Sequence, residues 1–99
     1  MWYVIIGYDA PESADARSQA RPEHLERLRE LQRQGRLMVA GPCPHDDAPE
    51  PGPAGMSGSV VIAEFDDLAD ARAWADEDPY VREGVFESVD IKPFIQALP

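Results

Sequence analysis

The sequence predicts an α+β sandwich in which two helices cover one face of a four-stranded antiparallel sheet. Four segments have the composition of strands and two have the spacing of amphipathic helices, in the order β-α-β-β-α-β. The strands predicted at residues 2–8 and 58–65 are almost continuously apolar, which suits the middle of a sheet. A ferredoxin-like arrangement puts the first and third strands there, so we expect that fold.

The first predicted helix contains a proline. After a turn at residues 9–13, residues 14–20 have helical composition, but Pro22 lacks the backbone N–H that a helix interior needs. Because proline is common in the first turn, we expect a fresh helix that starts at Arg21 and is ended by Gly35. The apolar stripe of this helix is formed by Leu25, Leu28 and Leu31.

The middle of the chain predicts a second strand at residues 36–42 and a long acidic loop at residues 43–57. The prolines and glycines of the loop are incompatible with regular structure. Long loops in small domains often cover a site, and they are equally often just mobile, so both interpretations stay open. The apolar strand at residues 58–65 follows the loop.

A second helix and an edge strand complete the predicted fold. Either Asp66 or Asp67 caps the helix, which should end by Asp78 because a residue before proline avoids helical geometry. The side chains at helical spacing are Leu68, Ala71, Trp74 and Ala75. A separate turn at residues 78–84 leads to a strand at 85–94, which contains a lysine and a proline as edge strands do.

Length and composition limit what the protein can be. With 99 residues, 43% of them hydrophobic, the chain can bury one modest core, so we expect a single domain over residues 1–99. A formal net charge of −10 argues against nucleic acid or an anionic membrane surface as a partner. Cys43 is the only cysteine, which excludes an internal disulfide. Without a basic leader or a run of ~20 apolar residues, the chain reads as a soluble cytoplasmic protein.

His24 is the residue around which a function can be built. At about 100° per residue, it lies only about 40° from Leu28 around the helix axis, so it shares the inward face, and Arg21 falls on that side too. One interpretation is a half-buried histidine that hydrogen-bonds a backbone carbonyl. The other is a general acid or base, which needs a partner to orient it.

Two acidic groups could orient His24. One is the pair Asp46 and Asp47 in the long loop, and the other is Asp78 before Pro79. Asp78 is the better candidate, because the proline fixes it and both helices pack on the same face of the sheet. An aspartate at this position could cap the following turn, face the site, or do both.

Other chemistries find less support in the sequence. Ser59 is the only well-placed hydroxyl, but it lacks the context of a nucleophile elbow, so we expect no more than a contact with a ligand. A proline-rich loop with one cysteine and one histidine, Cys43 and His45, makes a poor closed metal site. No glycine motif that could cradle a phosphate is present, so we expect neither a metal nor a cofactor.

The first predicted strand is apolar on both alternating sets of side chains. Two helices can cover only one face of the sheet, so the second face needs another cover. A second copy of the chain is the simplest one, and we expect a homodimer.

Several segments together resemble the YCII-related (YciI-like) family. The resemblance covers nearly the whole chain, and its most specific parts are the spacing from Arg21 to His24 and the Asp78-Pro79-Tyr80 segment. The other similar segments are Gly35-Arg36-Leu37, Ala40-Gly41-Pro42, Gly58-Ser59, residues 73–77 and Lys92-Pro93-Phe94. The resemblance implies a ferredoxin-like chain in a dimeric α/β-barrel assembly, with a site centred on His24 and Asp78. Relatives are linked to dehydrohalogenation of hydroxylated aromatic rings, and the fold resembles muconolactone-isomerase-like enzymes.

These observations lead to one functional hypothesis and two alternatives. The hypothesis is a cofactor-free enzyme in which His24, oriented by Asp78, moves a proton on a small hydroxylated or halogenated aromatic molecule. Arg21 would hold an anionic oxygen and Ser59 would contact the ligand. The first alternative is a ligand-binding or regulatory dimer that uses the same pocket without chemistry. The second is purely structural, with His24 as a core residue and Asp78 as a cap.

Overall fold

A computed structural model describes all 99 residues and shows the predicted order of elements. These are β1 (Trp2–Asp9), α1 (Ala14–Arg33), β2 (Leu37–Pro44), β3 (Met56–Glu64), α2 (Leu68–Asp76), α3 (Pro79–Arg82) and β4 (Phe86–Phe94). The strands form one antiparallel sheet in the order β2-β3-β1-β4. The central pair is therefore β1 and β3, and the predicted ferredoxin-like α+β arrangement is confirmed.

The first helix is continuous, so the predicted break at Pro22 is wrong. Helix α1 runs for 20 residues through the proline. The local rule fails because packing holds the helix on both sides of the missing N–H: Ala20 is buried before the proline, and Leu28 and Leu31 are buried after it. Gly35 then follows the helix with φ of +71°, a conformation that glycine adopts without strain.

The long loop is shorter than predicted at both ends. Strand β2 continues through Pro44 and β3 begins at Met56, and these two residues pair with each other. Proline is tolerated there because β2 is an edge strand, so one side of its backbone has no strand to pair with. The connection without regular structure is therefore residues 45–55.

One face of the sheet and the helices enclose the core. Nine buried residues form it: Tyr3, Ile5, Leu28, Leu31, Val61, Ala63, Phe65, Ala71 and Ala75. Asp67 caps α2 by accepting a hydrogen bond from the backbone N–H of Asp70. The predicted apolar stripe of α2 is wrong at Leu68, which is 49% exposed, so Ala71 and Ala75 carry the buried contacts of this helix.

The opposite face of the sheet has no cover within the chain. Its central side chains are apolar and half-buried: Trp2, Val4, Ile6, Val60 and Ile62. Because side chains alternate between faces, the same two strands supply both this surface and the core. None of the three helices is both long and apolar enough to cross a membrane.

Two glycines allow close contacts near the site, Gly58 between β1 and β3 and Gly7 between β1 and a ring from β4. A Cβ atom at Gly58 would overlap the backbone carbonyl of Gly7. A Cβ atom at Gly7 would overlap the ring of Phe86. Backbone cannot move aside as a flexible side chain can, so position 58 is the more restrictive of the two.

We expect Gly58→Ala to destabilise the protein by about 1–3 kcal/mol, because the central pair of strands must separate to admit the methyl group. Gly41→Ala is the matched control, since nothing lies within 4 Å of a Cβ atom there. Its free energy of unfolding should stay within about 0.5 kcal/mol of the original. Urea unfolding of both variants measures the difference, and equal stabilities would show that the close approach imposes no constraint.

Candidate active site

His24 and Asp78 meet inside the protein, as the sequence analysis favoured. The Nδ1 atom of His24 lies 2.9 Å and 3.0 Å from the two carboxylate oxygens of Asp78. Both residues are buried, with exposed fractions of 7% and 3%. The rejected partner Asp46 lies instead beside His45, 3.6 Å from its Nδ1 atom, where both side chains are exposed.

The carboxylate of Asp78 is also the cap of α3, so the two interpretations of this residue hold together. Its Oδ1 atom accepts a hydrogen bond of 2.9 Å from the backbone N–H of Tyr80. A carboxylate can only accept, so its contact with His24 places the proton of a neutral imidazole on Nδ1. The Nε2 atom makes no hydrogen bond with the protein and is available for proton exchange.

Arg27 is a third partner of Asp78 that the sequence analysis did not identify. Its Nη1 atom donates to Oδ2 of Asp78 at 3.1 Å, and its Nη2 atom donates to the backbone carbonyl of Trp74 at 2.8 Å. The guanidinium also lies 4.4 Å from the centre of the Trp74 ring. Arg27 therefore ties α1 to the end of α2 and fixes the second oxygen of the carboxylate.

The imidazole of His24 is stacked on the ring of Tyr80. Their centroids are 3.9 Å apart and the planes differ by 14°. Burial raises the pKa of the Tyr80 hydroxyl, and the charges of Arg17 and Arg21 oppose that shift without cancelling it. Tyr80 is therefore a neutral phenol at physiological pH, and its ring limits the movement of the imidazole.

Arg17 is the second cation that the sequence analysis missed. Its Nε and Nη2 atoms donate to the two oxygens of Asp9 at 2.9 Å and 2.8 Å, and Nη2 also donates to the hydroxyl of Ser59 at 3.0 Å. Burial lowers the pKa of Arg17, but the hydrogen bond and charge of Asp9 outweigh it and raise the pKa. One signal was present: Arg17 precedes His24 by seven residues, which puts both on one side of a helix.

A small cavity adjoins the histidine. His24, Asp78 and Ser59 line it together with apolar side chains from the sheet and from the segment around Val81. Its accessible volume is about 10 Å³, which is close to the room that one water needs. The cavity thus brings the predicted residues His24, Asp78 and Ser59 into one place.

Arg21 does not line the cavity beside His24. The expectation that it shares the buried side with His24 is wrong, because its side chain is exposed one turn after Arg17, where the helix surface meets an open cleft. This cleft has a volume of about 810 Å³ and lies between the start of α1 and the loop at residues 45–55. The long loop therefore forms one wall of the cleft. No group of three or more His, Cys, Asp or Glu side chains could hold a metal ion.

Comparisons with known proteins agree with this architecture. The chain is 53% identical over 94 residues to Protein YciI of Escherichia coli, and the match covers 95% of this chain and 96% of that protein. It is 47% identical over 94 residues, with the same coverage, to an uncharacterized protein of Haemophilus influenzae.

Two solved structures share the fold. One is the 5-chloro-2-hydroxyhydroquinone dehydrochlorinase of Burkholderia phenoliruptrix in complex with 2,5-dihydroxybenzoquinone, with a TM-score of 0.85 and 23% identity over 98% of this chain and 96% of that chain. The other is an antibiotic biosynthesis monooxygenase, with a TM-score of 0.51 and 17% identity over the full length of both chains. The family model of the YCII-related domain matches residues 1–95. The chain therefore belongs to the YCII-related family.

Proposed function

We propose that this protein is a cofactor-free enzyme in which His24, oriented by Asp78, transfers a proton on a small hydroxylated or halogenated aromatic molecule. One observation carries the proposal: Nδ1 of a buried histidine is held by a carboxylate while Nε2 is left without a protein partner beside a cavity. This is the arrangement that general acid–base catalysis requires.

The geometry supports proton transfer in both directions. When Nε2 takes a proton from a hydroxyl group or a ring carbon, the imidazole becomes a cation, and the carboxylate of Asp78 stabilises that charge at 2.9 Å. Burial strengthens this attraction, since few water molecules screen it. The proton can then return to a product atom or leave to solvent.

Loss of a hydrogen halide fits this machinery without a cofactor. His24 would move a proton from one ring hydroxyl to the ring carbon that bears the halogen, which turns that hydroxyl into a carbonyl and makes the carbon tetrahedral. It would then take the proton of a second hydroxyl, whose oxygen becomes a second carbonyl as the ring electrons shift and the halide leaves with the electron pair of its bond to carbon, so the products are a quinone and the hydrogen halide. No oxidant or reductant is needed, because the electrons released at oxygen depart with the halide. The dehydrochlorinase that shares the fold is named for such a reaction on a small chlorinated hydroquinone, which supports this substrate class.

Ser59 and Arg21 are the proposed substrate contacts. The hydroxyl of Ser59 accepts its hydrogen bond from Arg17, so its own hydrogen is free to donate to a ligand oxygen. Arg21 offers a positive charge at the cleft. An aromatic ring does not fit in about 10 Å³, so substrate binding requires side chains such as Val81 or Phe86 to move apart.

The proposal includes a homodimer that works in the cytoplasm. The uncovered sheet face is apolar at its centre and has no partner within the chain, which supports pairing with a second copy. A single cysteine and the absence of any possible internal disulfide suit a reducing compartment.

The role of Asp78 can be tested by Asp78→Asn. An amide can donate as well as accept, so it should no longer enforce the Nδ1–H tautomer of His24. We expect the ¹⁵N chemical shifts of the imidazole to change from values typical of one dominant tautomer to values typical of a mixture. Turnover should fall by roughly 10³-fold or more, as it does when the aspartate of a catalytic triad becomes asparagine. Unchanged ¹⁵N shifts would show that the carboxylate does not orient the ring.

The role of His24 can be tested by His24→Gln. Halide release from chlorinated hydroquinones should fall by about 10²- to 10⁴-fold, because the other base at the cavity, Asp78, already accepts hydrogen bonds from Arg27 and from the backbone N–H of Tyr80. Binding of the same compounds should persist. Arg29→Gln, on the exposed face of α1, should leave both properties unchanged.

The same assay separates the proposal from its alternatives. Ligand binding without turnover of any compound by the original protein would instead support a binding or regulatory dimer. Loss of thermal stability in His24→Gln with no effect on binding or turnover would support the structural interpretation.

The dimer can be tested by Ile62→Lys. A lysine at the centre of the uncovered sheet face would have to bury its charge in an apolar interface, so we expect the molecular mass in light scattering to fall from that of a dimer to that of a monomer. Leu68→Lys, which makes the same change at an exposed position of α2, should remain dimeric. A monomeric original protein would refute this part of the proposal.

A further inference from the structure

The open cleft beside α1 carries two guanidinium groups in a protein that is otherwise strongly acidic. Arg17 and Arg21 both line it, one helical turn apart. We infer that these two side chains form a binding site for a small organic anion whose charge lies on a carboxylate or on a ring oxygen. This site deepens the proposed function, because it indicates that the substrate of the proposed enzyme is an anion. The reaction itself rests on the proposed function.

Arg17 is held in position before any ligand arrives. Asp9 fixes the edge formed by Nε and Nη2, and Ser59 takes the second hydrogen of Nη2. The guanidinium also lies against the Tyr80 ring, with 4.7 Å between its central carbon and the centre of the ring. Only 12% of the Arg17 side chain is exposed, and the Tyr80 hydroxyl is a further partner whose charge and hydrogen bond help to raise the pKa of Arg17. The guanidinium is therefore held at the cleft, and little side-chain entropy remains to be lost on binding.

Arg21 adds a charge that no carboxylate neutralises. Its side chain is exposed and forms none of the ion pairs in the protein. Arg21 lines the same cleft as Arg17, and the positive charges of both residues oppose the rise in the pKa of Tyr80 that burial causes. A ligand oxygen in this region could contact both arginines at once.

The local charge balance selects a monoanion. Arg17 is compensated by Asp9, so the pair is neutral, and Arg21 supplies the positive charge that no ion pair compensates. Glu12 and Glu87 also line the cleft and are exposed like Arg21, so the whole lining has three carboxylates against two arginines. Anions with several charges would meet these carboxylates and the overall charge of −10.

The site adjoins the proposed catalytic cavity. Ser59 connects them, because its hydroxyl contacts Arg17 on one side and its side chain lines the cavity of His24 on the other. An aromatic anion held through its oxygen at Arg17 would thus enter the cavity past Ser59. Arg17 would position the substrate, and His24 would exchange the proton.

A pair of probes of equal shape tests the site. Benzoate carries one carboxylate, and benzamide replaces it with a neutral amide. We expect benzoate to give saturable changes in ¹H–¹⁵N spectra, including the Nε–Hε signal of Arg17, with a Kd at least about tenfold lower than that of benzamide. Equal affinities, or no saturable change with benzoate, would overturn the inference.

Variants assign the binding to the two arginines. Arg17→Gln and Arg21→Gln should each weaken benzoate binding by roughly tenfold or more, whereas Arg72→Gln, which removes an exposed charge from α2, should change it less than about twofold. If Arg17→Gln fails to fold because Asp9 is left unpaired, the double variant Asp9→Asn with Arg17→Gln removes both charges and should show the same loss. Undiminished binding in Arg21→Gln and in either Arg17 variant would overturn the site.

The proposed function and this inference fail in different ways. His24→Gln should keep the preference for benzoate over benzamide, because that preference comes from the arginines at the cleft, whereas His24 lines the cavity that receives the ring. Arginine-dependent benzoate binding in a protein that turns over no aromatic substrate would refute the enzyme and keep the anion site. Turnover that does not depend on Arg17 or Arg21 would refute the anion site and keep the enzyme.

Discussion

The buried carboxylate of Asp78 is the group on which the rest of the site depends. Its two oxygens contact the imidazole of His24, accept hydrogen bonds from Arg27 and from the backbone N–H of Tyr80, and so link α1 to the start of α3. A buried charge costs several kcal/mol unless it is paired and hydrogen-bonded, which is the state observed. Removing any one partner would leave part of that cost uncompensated, so the local fold and the position of His24 are maintained by the same contacts.

Aromatic rings next to Asp78 also hold the side chains of the site in position. Tyr80 follows Asp78 by two residues, and the cap that fixes its backbone also fixes its ring against the imidazole. The other contacts of that ring are Arg17 and the edge of Phe86, whose centroid is 5.4 Å away. The ring of Tyr80 thus lies between the imidazole of His24 and the guanidinium of Arg17. A helix of four residues and its cap thus position a histidine that lies 54 residues earlier in the chain than Asp78.

Helical periodicity and the conformational effect of proline were enough to predict the pair of His24 and Asp78. The helical phase placed His24 on the buried face with Leu28, and Pro79 fixed the backbone of Asp78, so their meeting followed once both helices lay on one face of the sheet. The salt bridge of Arg17 with Asp9 was missed because Asp9 ends a strand and reads as part of a turn. The geometry of the short connection between β1 and α1 brings the two together, and residue types alone do not define it. The break predicted at Pro22 failed for a related reason: propensity describes one residue, whereas Ala20 and Leu28 hold the helix from both sides.

The alternation of β1 separates the two proposed activities of the protein onto opposite faces of the sheet. Gly7 points toward the helices and Ile6 toward the uncovered face, with one peptide unit between them. At Gly7 the missing side chain is what leaves room for the ring of Phe86 and for the cavity beside His24, since any Cβ atom there would overlap that ring. At Ile6 a large side chain contributes to the apolar surface on which the homodimer is proposed. Substitutions of side chains on one face can therefore alter the proposed dimer without altering the proposed site, and the reverse. The two faces still share the backbone of β1 and β3, which lie close together at Gly58, so a movement of this backbone would affect both.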